Sequence, residues 1–213
     1  MRASTLTLTL TLSLCARPLA AQQGDRGVFA IQRGGTPLGR EEFTFEPAAT
    51  GAASGGVLAS LARYPATAPT VQIQAMVEES SAGAVIALQI DTRQKSGVSR
   101  VYGAALQDNL TIRQTTSAAE SVREYPRAAG IVILDDSVFA LYQAVARRAT
   151  QAGARLPVLF PRSGRRGQIT ATRSDPTTIE VTGAVSGTLT VDGAGRLMRV
   201  VLADGVSAIR QSK

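Results

Sequence analysis

Two adjacent carboxylates, Asp135-Asp136, and three arginines in one turn, Arg162, Arg165 and Arg166, are the residues of this 213-residue chain best placed for chemistry. Close carboxylates split their pKa values and so supply an acid and a base. Clustered guanidinium groups hold phosphate or carboxylate through paired N–H donors. Each pattern also has a structural meaning. Asp135 and Asp136 precede a helical pattern, where a carboxylate accepts from the free first-turn N–H groups, so capping is the expected role. Arginines in a turn usually face water. Glu41-Glu42 are neighbours in a strand pattern; they point to opposite faces, form no working pair and are expected at solvated strand positions. Tyr142 falls on the apolar face of the helix and is expected to pack there with its hydroxyl hydrogen-bonded. The candidate ligand-binding residues are therefore Arg162, Arg165, Arg166 and Tyr142, with no catalytic residue, metal ligand or cofactor assigned.

What is missing narrows the chemistry further. Arg2, an apolar run over residues 6–16 and the small-residue stretch 18–22 have the order of a secretory leader. Residues 1–21 are expected to be a cleaved signal peptide and residues 22–213 a single β-rich domain that is periplasmic or secreted. The apolar run is shorter than the roughly 20 residues of a membrane span. The one cysteine, Cys15, leaves with the leader, and the chain has no histidine or tryptophan. Disulfides, thiolate chemistry, imidazole metal sites and a Ser-His-Asp triad are thereby excluded from the mature chain. The net charge of +7 falls to +5, because the leader holds Arg2 and Arg17 and no acid. A basic balance allows attraction to an anionic membrane surface or an acidic ligand. The 4 Tyr and 5 Phe are scattered, no arginine-rich helix appears, and nucleic acid is not an expected partner. Glycoside hydrolysis survives these exclusions, since it needs only two carboxylates about 5 to 9.5 Å apart.

The elements that must position these residues are mostly strands. Residues 130–152, GIVILDDSVFALYQAVARRATQA, give the one long helical signal. Val138, Leu141, Tyr142, Val145 and Ala149 recur at spacings of three and four, with Gln143, Arg147 and Gln151 opposite. The pattern predicts an amphipathic helix over 136–152, about 25 Å long at about 1.5 Å per residue, with Arg147 and Arg148 at its negative end and Gly153 closing it. Before it come a hairpin over 28–45 turning at Arg33-Gly34-Gly35-Thr36-Pro37, a long small-residue loop over 47–56, a strand over 57–64, and an alternating hairpin carrying Val71, Ile73, Ala75 and Val77, then Ile86, Leu88 and Ile90. Further strands over 98–106, 110–115 and 122–125 follow. After the helix, strands over 156–160, 168–173, 177–181, 185–191, 195–202 and 206–210 are separated by short turns, which favours antiparallel neighbours.

About twelve strands do not stay flat in one open sheet. The expected fold is mainly β, an antiparallel meander forming a curved sheet or half-barrel around the amphipathic helix; a two-sheet β-sandwich with one helix is the alternative. The opening hairpin GVFAIQRGGTPLGREEF, the mid-chain LDDSVFALYQAVARR and the closing VDGAGRLMRVVLADGVSAIR together resemble uncharacterised bacterial exported or periplasmic β-rich proteins with a lipoprotein-carrier-like half-barrel layout. The resemblance lies in order and spacing and transfers no individual residue. It implies a concave apolar cavity that takes acyl chains. The function expected is therefore an exported envelope protein that holds a lipid or other apolar ligand, with the arginine turn meeting an anionic head group. A structural or adaptor module of the envelope is the second reading and a carboxylate-based hydrolase the third.

Overall fold

The computed structural model of the chain describes residues 24–48, 54–126 and 130–212; the expected leader lies outside them. The first meander comprises β1 (Asp25–Arg33), β2 (Thr36–Pro47), β3 (Ser54–Tyr64), β4 (Val71–Ser80), β5 (Val85–Gln94), β6 (Gly97–Leu106), β7 (Asn109–Thr115) and β8 (Glu120–Pro126). The second comprises β9 (Val132–Ile133), β10 (Ala154–Phe160), β11 (Arg165–Arg173), β12 (Thr178–Gly183), β13 (Gly187–Val191), β14 (Leu197–Leu202) and β15 (Val206–Arg210). All fifteen belong to one sheet, in the order β8-β7-β6-β5-β4-β3-β2-β1-β15-β14-β13-β12-β11-β10-β9. First and last strands meet in its middle, where β1 pairs antiparallel with β15 and Ala30 lies opposite Ile209. Short β9 is the exception to the antiparallel pattern, running parallel to β10. One curved antiparallel sheet forms, as the half-barrel reading expects, and not two packed sheets.

Strict alternation explains why one face closes. In β2, Gly39, Glu41, Phe43 and Phe45 are buried while Arg40, Glu42, Thr44 and Glu46 are exposed. The same period puts Phe29 and Ile31 of β1, Ile73 of β4, Leu110 of β7, Ile169 of β11 and Leu189 of β13 into one core. Phe29 and Phe43 stack across the β1–β2 pair with ring centroids 5.0 Å apart. Each large apolar side chain buried in this way contributes about 1.5 to 3 kcal/mol.

The helical segment lies in the trough of this sheet and is shorter than the expected span of 136–152. Asp135 accepts from the Ser137 amide at 2.9 Å, and Val138 is extended (φ −128°, ψ 98°), so helical geometry starts only at Phe139. A 3-10 turn, Phe139–Leu141, leads into α1 (Tyr142–Arg148). Ala149 is extended again, Thr150 bridges to Thr172, and Gly153 (φ +82°) belongs to the turn into β10 instead of closing the helix. The 3-10 turn packs on β2 and β3, whereas α1 packs on β11, β13 and β14, so the segment spans both meanders.

The expected polar face of the helix is also corrected. Every residue from Val138 to Ala146 is buried, Gln143 included. Its amide nitrogen donates to the Gly195 carbonyl at 3.1 Å, and its oxygen accepts from the Leu197 amide at 2.9 Å. Gln143 thus satisfies backbone groups at the β13–β14 turn that burial would otherwise leave unpaired. Arg147 is mostly covered, ion-paired with Glu79, and its guanidinium lies 4.7 Å from the centroid of the Phe45 ring.

Candidate ligand-binding site

The polar residues of the concave face gather where the chain leaves β9 and enters the 3-10 turn. Glu41, expected at a solvated strand edge, is fully buried there. Its position follows from the period-two pattern: it is in phase with Phe43 and Phe45, so it points inward, and Glu42 points out. One carboxyl oxygen accepts from the Phe139 amide at 2.7 Å, and the other lies 2.5 Å from the Ser60 hydroxyl and 3.1 Å from the Ala140 amide. The helical segment is therefore capped from a strand 98 residues earlier, not by Asp135 or Asp136. Burial, partly opposed by these hydrogen bonds, pushes the Glu41 carboxyl up to about 7, and the charge of Asp135 adds to the rise. Beside it, the Tyr64 hydroxyl donates to the Ser137 carbonyl at 2.6 Å. Gly39 makes room for that ring; a Cβ there would stand 2.5 Å from Tyr64 Cδ1.

Asp135 is nearly as buried but is neutralised differently. Arg162 Nε and Nη2 reach its two oxygens at 2.6 Å each. Burial works against the Arg162 charge, yet the hydrogen bonds and charge of Asp135 prevail and hold its pKa above the ordinary arginine value. Arg165 pairs with exposed Asp136 at 2.6 Å and lies 3.7 Å from the centroid of the Phe160 ring. Arg166 lies 5.5 Å from the centroid of the Tyr125 ring on β8. The Gln114 side chain of β7 donates to the Arg162 carbonyl at 3.2 Å, so the β10–β11 turn reaches across to the far edge of the sheet.

The three sequence-nominated arginines thus share a turn but not a binding site: two are committed to Asp135 and Asp136. Tyr142 lies beneath them, fully buried and stacked on Phe139 with centroids 6.3 Å apart. Its phenol is raised above the ordinary tyrosine value by burial first and by Asp136 next. Its hydroxyl has no hydrogen-bond partner among the described residues, contrary to the expected bonded state. Glu41, Ser60, Tyr64 and Gln143 are the members that sequence reasoning missed. For Glu41 a signal was present in its phase with Phe43 and Phe45.

As chemistry, the cluster pairs a carboxyl poised near neutrality with an arginine-bound carboxylate, the division of roles that acid–base catalysis uses. Neither opens to solvent. One cavity between the segment and the sheet, bounded by Phe45, Leu58, Val77, Ile133, Leu141 and Ala144 with Glu79 and Arg147, has about 10 Å³. That is about the volume a single water needs. A polar concavity of about 180 Å³ adjoins it at Phe45, Glu79 and Arg147, and larger ones lie elsewhere. A cleft of about 560 Å³ is lined by Arg26, Arg40, Arg196 and Arg210 together with Asp25. Arg210 is bound to Asp25 and Arg196 to Asp192, whereas Arg26 has no ion pair among the described residues. A shallow groove of about 420 Å³ continues from Arg26 past Val28, Ala59 and Leu61 on the outer face.

No protein-family model matches the chain, and no curated protein matches it. Among solved structures it is similar to the crystal structure of a DUF1089 family protein from Pseudomonas aeruginosa, at 14% identity and a TM-score of 0.43, over 90% of this chain and 95% of that one. A likeness that distant carries no functional conclusion.

Proposed function

We propose that this chain is an exported, non-catalytic module of the cell envelope that works through its surface, not a carrier with an enclosed acyl cavity. The observation that supports this reading most is the occupied trough: residues 131–134 and 138–146 fill the concave face, and the rim arginines Arg162 and Arg165 are already neutralised. Apolar carriers need a preformed concave space, commonly several hundred cubic ångströms. The leader pattern supports export, and N-terminal sequencing from the producing cell should begin near Ala21 or Gln22; an intact Met1 on cytosolic protein contradicts it.

A second reading rests on the arginine cleft. A cationic cleft that runs into an apolar groove suits an acidic head group with an apolar body, such as a fatty acid or anionic lipid. Displacement of a fluorescent fatty acid from the purified chain separates the two. The surface module shows no saturable binding. Saturable binding abolished by Arg26→Ala plus Arg40→Ala supports the cleft, whereas binding weakened only by Arg165→Ala plus Arg166→Ala restores the rim-and-cavity carrier.

A further inference from the structure

Strand register aligns charge into rows on the outer face of the sheet. One row runs Arg199, Ile209, Ala30, Arg40, Arg63, Gln72, Arg93 across β14, β15 and β1 to β5. It holds four arginines and no acid. Six residues along the strands, about 20 Å at about 3.3 Å per residue, a second row runs Glu46, Val57, Glu78, Ala87, Ala104, Thr111, Glu124. It holds three glutamates and no base. Arg40 and Arg63 share Glu42, but Arg93, Arg199, Glu46, Glu78 and Glu124 have no ion-pair partner among the described residues.

Two register lines lie between the rows, and the one beside the basic row carries Glu42, Leu61, Gln74, Asp91 and Arg100. On the other, Ala59, Met76, Tyr102 and Val122 stand among Arg26, Thr44, Gln89 and Arg113. Met76, Val98, Tyr102, Leu106 and Val122 are the exposed large hydrophobic residues among those described, and all five stand on β4, β6 and β8. The second meander has none. Concentration of exposed apolar side chains on one flank marks an interaction surface.

We propose that a second copy of this chain docks on this face, about a twofold axis that runs midway between the two charge rows. Such an axis reverses strand direction between the copies, so over β2 to β5 the basic row of each faces the acidic row of the other, with Arg40 opposite the partner's Glu46 and Leu61 opposite the partner's Ala59. Glu78 of one copy then comes opposite the partner's Gln72, between the partner's Arg63 and the partner's Arg93. Self-complementarity of this kind is what an isologous interface requires, and sheets pack face to face about 10 Å apart. An anionic bilayer fits less well, because it would repel the glutamate row while attracting the arginine row.

Sedimentation equilibrium at low ionic strength tests this. The wild-type chain should sediment at twice its monomer mass. Arg63→Glu plus Arg93→Glu puts glutamates on both sides of the partner's Glu78, Glu78→Arg puts an arginine between the partner's Arg63 and the partner's Arg93, and each variant alone should sediment as a monomer. Mixing the two variants in equal amounts should restore the doubled mass, which also shows that both have folded. Added salt should weaken the dimer as the Debye length shrinks from about 30 Å at 0.01 M to about 3 Å at 1 M. A monomeric wild type, a dimer indifferent to both variants, or a mixture that stays monomeric overturns the inference. It goes beyond the non-catalytic reading, and neither outcome decides the fatty-acid experiment.

Discussion

Glu41 and Asp135 are two buried carboxyls on either side of the same chain entry, and the molecule handles them in opposite ways. Asp135 has a cation: both of its oxygens meet Arg162. Glu41 has none; backbone N–H groups and one hydroxyl surround it, and its pKa is raised to about 7. Donors alone compensate burial incompletely, so the proton makes up the difference near neutrality. What Glu41 gives in return is structural, since it satisfies the free amides at the start of the segment that fills the trough.

Removing Glu41 should therefore have the larger effect. Glu41→Ala leaves the Phe139 and Ala140 amides and the Ser60 hydroxyl without their partner, and about 4 kcal/mol should be lost in urea unfolding. A loss under about 1 kcal/mol would mean that the cap is dispensable.

The pH response sharpens the contrast. Folded Glu41 titrates near 7 against an ordinary value of 4.5. Between those values the folded chain keeps a proton that the unfolded chain has released. Stability from this group is therefore highest below about pH 4.5, declines as pH rises to about 7 and is flat beyond, a fall on the order of 3 kcal/mol at about 1.36 kcal/mol per pKa unit. Glu41→Gln removes the titration, so wild-type minus Glu41→Gln stability should decline across that window. A difference that grows with pH contradicts the raised value.

Arg162→Ala comes next. It strands Asp135 in the core, but Arg162 keeps 27% of its side-chain surface exposed and water can enter where it stood, so about 2 kcal/mol should be lost. Gln143→Ala should cost about 1 kcal/mol by unpairing the Leu197 amide and the Gly195 carbonyl. Arg165→Ala should change stability by less than about 0.5 kcal/mol, since its partner Asp136 is exposed.

Where local pattern decides structure, the sequence was readable. Alternation through Val71, Ile73, Ala75 and Val77 and turn residues such as Gln107-Asp108 placed the hairpins, while strand number called for a sheet that curls or splits and left the single curved meander and the sandwich both open. The helix was legible as a segment but not in its limits, because Asp135 turns back on the Ser137 amide and Thr150 is drawn towards β11. Periodicity put Gln143 outside, since a 3.6-residue repeat cannot see that the sheet wraps both sides of the segment. The Asp135–Arg162 pair joins residues 27 apart, and the Glu41 cap joins residues 98 apart. No local pattern encodes either contact. The charge rows are intermediate: each residue is visible in the sequence, but only register lines them up.

Amide hydrogen exchange at Phe139 and Ala140 tests the central claim, that Glu41 holds the segment in the trough and leaves no enclosed site. A filled, anchored trough requires both amides to exchange as slowly as the paired amides of β4 and β5, through global unfolding. Exchange as fast as that of the Gln107-Asp108 turn would show that the segment leaves the trough on its own, and the concave face would then be open to a ligand.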